Sequence, residues 1–502
     1  VRAICYVLFG SLRKRTTHFL FKDFLMPREE IVVSRPIISS SGGVHEISAI
    51  IRGAGIDKRI WFRSSSAFGK SLSYNSVAFL AVALFPAMRK GLPLRIEAPI
   101  PQEILQRLSD FQHIYRQWFS FYQAVEIMTQ GDVGDENDAV ATGNQAFFFT
   151  AGVDSFHTYE GNRENITHAL YLYGADLQLD QKELRELVSA ELGKATDEMG
   201  VQFIEVESNL RELTNDYGWW GEHVHGAVLI STAMLFSNHF NSILIASGSP
   251  YYRARPWGSH PITDPMWATS DFDVIHYGAE FNRFEKVREI AKSELALRYL
   301  RVCSGCSIRN RYGDHHGSSY NCCACEKCLR TMVAMYMIGA LEECPAFPEP
   351  LDFSRVAALR NVTAQQRANW RWNLLALRDY EDPELQAALE EMQEESRYAA
   401  VAKDFSRHKD HVLKADAWHK RLPKLRNRLA RNLKEHDPAW FTGQLMDCLK
   451  KDVAGSREEA FAVLWNKNRK WLKKKVKEAA SRRLRKRVRS ALRRIGIGGT
   501  KS

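Results

Sequence analysis

The sequence predicts an α/β fold with a parallel-sheet core, and three observations carry that expectation. From Gln145 onward, short and strongly apolar runs recur between helical segments, at Ala146 to Phe149, Ala169 to Tyr173, Gln202 to Val206 and Ile243 to Ala246. Parallel strands buried on both faces read this way. One of these runs, Phe147-Phe148-Phe149, leads straight into the small-residue turn Thr150-Ala151-Gly152-Val153-Asp154-Ser155. A dense cysteine cluster closes the same region, between Cys303 and Cys328.

The chain has 502 residues, which is too long for one ordinary core, so two or three domains are expected. A hydrophobic content of 45% with 12 Trp says that it folds. Arg2 and the apolar run Ala3 to Phe9 are followed at once by Arg and Lys without a small-residue cleavage site, so this is not read as a secretory signal. The longest apolar run, Ser76 to Met88, is too short to cross a bilayer and is read as a buried helix. A cytoplasmic protein without a transmembrane segment is therefore expected.

Along the first portion, Ile31 to Val33, His45 to Ile51, Arg59 to Phe62 and Leu94 to Glu97 read as strands, and Asn75 to Met88 and Gln102 to Phe119 as helices. The acidic, Gly-containing stretch Gly131 to Asp138 interrupts this pattern and is taken as a boundary. Residues 1–138 are then an N-terminal α+β domain, 139–350 the parallel-sheet domain, 351–465 a helical extension and 466–502 a basic tail. The formal charge of +11 belongs to that tail, because Lys467 to Arg494 holds 15 basic residues against Glu478 alone. Leu472, Val476, Ala480, Leu484, Val488, Leu492 and Ile495 recur at helical spacing among them. This basic amphipathic helix suits RNA, an anionic surface or an acidic partner, or is simply solvated.

A strand, a tight turn and a helix N-terminus make an anion site. Small residues let the backbone approach a phosphate, the amides of Ala151, Gly152 and Val153 point at it, and the helix dipole adds positive potential. Thr150 and Ser155 add hydroxyls, and Asp154 orders the loop or helps to hold Mg²⁺. The plain alternative is a turn in which Asp154 or Ser155 only caps the helix. The six residues resemble the SGGxDS signature of the PP-loop, or N-type ATP pyrophosphatase, superfamily, with Thr150 in place of Ser and Ala151 in place of the first Gly. An alanine there resists the left-handed backbone that the glycine allows. A rival phosphate motif, Phe68-Gly69-Lys70-Ser71, resembles the end of a Walker A loop, but Ser64 stands where the first glycine is required.

Six of the nine cysteines fall between Cys303 and Cys328, a crowding that points to metal in a reducing compartment. Cys322, Cys325 and Cys328 form C-x-x-C-x-x-C, and Cys303 and Cys306 form a further C-x-x-C upstream, just past a strand-like Tyr299 to Val302. Four such thiolates satisfy tetrahedral Zn²⁺. The fourth ligand is Cys303 or Cys306, with Cys303 preferred, Cys323 is a bystander, and His315 and His316 are solvated loop residues. An iron-sulfur cluster would need a further cysteine followed by proline, where Met332 and Val333 stand. The run is similar to the zinc site of 7-cyano-7-deazaguanine synthase-like (QueC-like) members of the PP-loop superfamily.

This resemblance spans about Gln145 to Leu341. It implies a HUP-like core that binds ATP with Mg²⁺ and adenylates an oxygen of its acceptor. Pyrophosphate is released and a nitrogen nucleophile then displaces AMP, in a carboxylate-to-amide or nitrile conversion on a nucleobase-like small molecule. Asp154 and Ser155 are the expected catalytic residues. Ser247 and Gly248, at the carboxyl end of the Ile243 to Ala246 run, are expected to border the pocket. Pro256 to Trp267 reads as a substrate lid or a packed loop, Glu280, Arg283 and Lys286 as a solvated charged face or an anion contact, and His225 as a core histidine. Two other readings are sulfur transfer to tRNA and a nucleotide- or nucleic-acid-binding module without chemistry.

Overall fold

The structure, a computed structural model, describes residues 29–65, 72–131, 143–303, 320–359 and 364–393. Eleven strands form one sheet. In chain order they are β1 (Ile31–Val33), β2 (Ile37–Ser41), β3 (Val44–Gly53), β4 (Ile56–Ser65), β5 (Leu94–Ile96) and β6 (Ile127–Thr129), then β7 (Gln145–Phe148), β8 (Ile166–Tyr173), β9 (Gln202–Ser208), β10 (Ser242–Ala246) and β11 (Asp273–Tyr277). The sheet runs β11-β10-β7-β8-β9-β4-β3-β1-β5-β6, with β2 added to β3.

The segment from β7 onward is a parallel doubly wound unit, because β11, β10, β7, β8 and β9 all pair in parallel. Its first strand lies in the middle. The chain moves outward to β8 and β9 on one side, then crosses back to β10 and β11 on the other, so the order reverses between β7 and β10. Side chains and amides at the carboxyl ends of two such strands diverge and leave a crevice, where open α/β sheets bind ligands. The turn Thr150 to Ser155 follows β7 and the turn Ser247 to Ser249 follows β10, so both lie at that reversal.

The described strands of residues 1–138, which were expected to form an α+β domain of their own, continue this sheet. β4 pairs antiparallel with β9 through Phe62↔Ser208, Arg63↔Glu207 and Ser64↔Val206. Asn209 locks the join, its Oδ1 accepting from Trp61 N and its Nδ2 donating to the Arg59 carbonyl. One apolar core also runs from Ile31 and Phe62 to Ile243 and Val274. A second compact unit starts at Pro350.

Helices α1 (Val77–Lys90), α2 (Gln102–Trp118), α5 (Arg211–Tyr217) and α6 (His225–Met234) cover one side of the sheet. α3 (Val153–Glu160), α4 (Lys182–Met199), α7 (Arg283–Ile290), α8 (Glu294–Tyr299) and α9 (Glu326–Ile338) form the group around the loop after β7. α1 is apolar all round, and Val77 to Met88 are all buried, which explains the lack of an amphipathic stripe there. Tyr299 to Val302, expected as a strand, instead ends α8 and continues without regular secondary structure. The second unit, as far as described, holds α10 (Phe353–Ala357), α11 (Ala364–Ala376) and a helix over 383–393. No helix among the described residues is long and apolar enough to cross a membrane. The basic tail and the segment Phe68-Gly69-Lys70-Ser71 lie outside the described residues.

Candidate functional site

Phe147 and Phe149 are fully buried, and their rings pack against Tyr159 and Phe156 of α3, so the apolar strand fixes where the turn emerges. Ala151 adopts φ +54°, in the left-handed region. The alanine therefore keeps the backbone course that a glycine would take, at a cost of about 1–2 kcal/mol. Surrounding structure holds it there: the Ala151 side chain is buried, and its carbonyl accepts the Arg301 amide at 2.8 Å. Gly152 is the N-cap of α3 in extended conformation, and no side chain caps the helix. The amides of Val153, Asp154 and Ser155 are thus the open first-turn donors of α3.

An Ala151→Gly exchange sets relief of this strain against loss of a buried methyl and greater freedom in the unfolded chain. These terms cancel to within about 1 kcal/mol. Ala151→Val, with a β-branched residue at positive φ, should lose about 2 kcal/mol or more. Urea midpoints of the two variants check this, and equal stability of the valine variant would refute the backbone assignment.

The Ser155 hydroxyl donates to the Gly152 carbonyl at 3.0 Å and so braces the turn from inside. Asp154 points to the reversal crevice, with Arg283 Nη2 at 2.8 Å and Lys286 Nζ at 3.4 Å. Burial raises its carboxyl pKa, but Arg283 and then Lys286 outweigh that and hold it below the ordinary range. Lys286 is only 2% exposed and also donates to the Ser247 carbonyl at 2.6 Å. Burial pulls the Lys286 pKa down, and Asp154 opposes it. One ammonium thus ties the ends of β7 and β10 together. Arg330 is 5% exposed, pairs with Glu326 at 2.6 Å, and lies within electrostatic reach of Arg283 and Asp154. Gly248 is exposed and faces open space, since an added Cβ would meet no atom within 4 Å.

The second part of the site is the cysteine cluster. The Sγ atoms of Cys303, Cys322, Cys325 and Cys328 lie within 4.8 Å of one another, with Cys303 to Cys325 at 3.9 Å and Cys322 to Cys328 at 4.0 Å. Thiolates around Zn²⁺ at about 2.3 Å have S···S edges of about 3.8 Å, whereas a disulfide needs about 2.05 Å. The four therefore form a metal-holding arrangement. Hydrogen bonds from Cys322, Cys325 and Cys328 push the Cys303 thiol below its usual range, and the same crowding with burial pushes Cys328 above it. Four such groups ionise together only around a cation. Cys323 takes φ +50° in the turn, and its sulfur faces the Asn321 carbonyl, outside the cluster. Cys306, His315 and His316 lie outside the described residues.

Loop and cluster are physically joined. Arg301, whose amide holds Ala151, is two residues before Cys303, and its guanidinium pairs with Asp176 beyond β8 at 2.8 Å. Asn321 Oδ1 accepts from the amides of Val302 and Cys303, while its Nδ2 donates to the carbonyls of Leu300 and Ala346. Cys325 is the N-cap of α9, which carries Cys328 and Arg330.

Pro256 to Trp267 is a packed loop. The buried Asp264 accepts from Ser259 Oγ at 2.6 Å, from His260 N at 3.0 Å and meets His276 Nδ1 at 2.8 Å. Glu280 precedes α7 and is exposed, and its charge acts on Lys286 from the surface. Sequence reasoning missed Arg330, Arg301 and Asp176, and it undervalued Lys286. For the two arginines the signal was present: single charges with apolar neighbours, as in Leu329-Arg330-Thr331-Met332 and Leu300-Arg301-Val302. No protein-family model, curated protein or solved structure matches this chain.

Proposed function

We propose that the chain is an ATP-dependent adenylating enzyme of the PP-loop, QueC-like kind, forming a C–N bond with release of AMP and pyrophosphate. The observation that carries this reading is the left-handed turn at Ala151, placed at the strand reversal with open α3 amides and flanked by Arg283, Lys286 and Arg330. Such a cradle anchors the β- and γ-phosphates and leaves the α-phosphorus exposed to an acceptor oxygen. The charge that develops on pyrophosphate is met by preorganised donors.

In this reading the first-turn amides of α3 bind phosphate oxygens, and Arg283 and Arg330 supply positive potential. Lys286 positions Asp154 and the Ser247 carbonyl. Asp154 orders the loop: both of its oxygens already face cations, so it is not assigned as a Mg²⁺ ligand. Mg²⁺ bound with ATP supplies charge neutralisation on the phosphates. Cys303, Cys322, Cys325 and Cys328 would hold Zn²⁺ with four protein ligands, and its role would then be structural. Sulfur transfer would need an accessible thiol, and the described cysteines outside the cluster, Cys323 and Cys344, are buried.

The test is product analysis. Purified protein incubated with MgATP, ammonium and a deazapurine carboxylate should yield AMP and pyrophosphate. Formation of ADP and phosphate instead would refute the assignment.

A further inference from the structure

A strip of cations lying on aromatic rings crosses the surface of the first unit, formed by parts of α1, α5 and the segments after β9 and β10. Arg89 lies over the Phe121 ring at 4.2 Å, Lys90 over Tyr217 at 5.7 Å, Arg211 over Trp220 at 5.1 Å and Arg255 over Trp257 at 4.8 Å. These stacks are contiguous. Phe121 meets His223 at 5.2 Å, and His223 Nδ1 accepts the Trp219 amide at 2.8 Å. Gly221 packs on the Trp257 ring. Trp219, in the middle of the strip, is 60% exposed, and Phe121 is 39% exposed.

Two features separate this strip from ordinary surface. Large aromatic side chains at such exposure cost solvation free energy and usually mark a contact surface. In addition, no ion pair among the described residues joins Arg89, Lys90, Arg211 or Arg255 to a carboxylate, although Asp216 and Glu222 lie in the same segment. Most of the other arginines at comparable exposure, such as Arg52, Arg59, Arg63 and Arg298, are paired. The backbone from Trp220 to Val224 is also a π-helical turn, a form that concentrates at functional sites because it turns side chains outward at the expense of regular hydrogen bonding.

We propose that this strip binds single-stranded nucleic acid. Unstacked bases find an aromatic face on Trp219 and guanidinium planes already aligned with rings at Phe121 and Trp257. The phosphates between them find the cations of Arg89, Lys90 and Arg255, while Arg211, half-buried and bonded to Asn215 and the Ala175 carbonyl, braces the strip. A duplex offers its phosphates but no free base faces, and an acidic peptide would use the cations and leave the exposed rings without partners. The inference is independent of the ATP chemistry.

The experiment is fluorescence anisotropy of the full chain with fluorescein-labelled oligouridylate and oligothymidylate of about 12 nucleotides. Salt of about 0.3 M suppresses purely electrostatic binding, including any by the basic tail. Phe121→Ala/Trp219→Ala should weaken binding about 20-fold or more, and Phe121→Tyr/Trp219→Tyr should restore most of it. Arg89→Gln/Lys90→Gln should lower the salt slope by about 1.4. The proposal is overturned by any of four results: no binding of either oligonucleotide, unchanged affinity in the double alanine variant, equal affinity for an abasic oligonucleotide or a duplex, or equal competition by polyglutamate.

Discussion

Cys328→Ser is expected to strip the metal from the protein and, with it, to lower the affinity for ATP about tenfold or more. Cys328 is fully buried in the first turn of α9, and its sulfur closes the set with Cys303, Cys322 and Cys325. Three thiolates and a hydroxyl hold Zn²⁺ far more weakly, and a structural metal contributes directly to folding free energy. The loss travels by a short covalent and hydrogen-bonded route. Without the metal, Cys303 and the start of α9 are no longer held together. Arg301 then loses the fixed course that presents its amide to Ala151, and the charge of Arg330 is no longer held within reach of Asp154. Elemental analysis should show about one Zn²⁺ per wild-type chain, none in Cys328→Ser, and a full complement in Cys323→Ser, whose sulfur faces away from the cluster. Calorimetry with MgATP reads the second effect. Iron with sulfide, or folded wild-type protein without metal, would sink the zinc assignment. Metal loss with undiminished ATP affinity would leave the zinc and remove the coupling.

In the sheet's parallel half β7, β8 and β10 were legible because they are largely buried and read as apolar runs, and β9 because its buried residues alternate. β2, β6 and β11 were not, for opposite reasons. β2 is exposed along its whole length, β6 is three residues of intermediate burial, and β11 carries Asp273 and His276 in a five-residue run. None of these has a local pattern that demands a strand, and each is recruited by its neighbour. The merger of the first 138 residues with the core sheet was equally hidden, since the β4–β9 pairing is a contact between segments 141 or more residues apart in the chain. At the site, spacing was enough for the cysteines because ligand geometry is local. Of the arginine and lysine residues at the loop, only Arg283 and Lys286 drew attention in the sequence. Their partners Asp154 and the Ser247 carbonyl arrive from other strands, and a charged residue on a short helix reads as solvated until tertiary structure buries it. The Ala151 departure, which weighed against a phosphate turn in the sequence, proved compatible with the left-handed backbone because Arg301 fixes the carbonyl from outside the loop.

Lys286→Met should lower formation of AMP and pyrophosphate by about two orders of magnitude, and Asp154→Ala by one or more. Methionine keeps the stem in its buried slot but removes the charge that joins Asp154 to the Ser247 carbonyl, so the two carboxyl-end turns are no longer held in register. Asp154→Ala acts on the same link from the other side and leaves Lys286 with the carbonyl alone. Groups that act as one unit show strongly non-additive losses, so the double variant should be no slower than about the worse single variant, within a few-fold. Independent roles would instead multiply the two losses. Far-ultraviolet circular dichroism and zinc content of each variant separate a lost site from a lost fold. Lys70→Ala should leave turnover unchanged, because the motif it belongs to lacks the glycine that closes a Walker cradle. The products decide between the two phosphate motifs: a γ-phosphate held open gives ADP and phosphate, and an anchored pyrophosphate gives AMP. Production of ADP with sensitivity at Lys70 and none at Asp154 or Lys286 would move the nucleotide site to the first segment of the chain and leave the crevice between β7 and β10 without the role assigned to it.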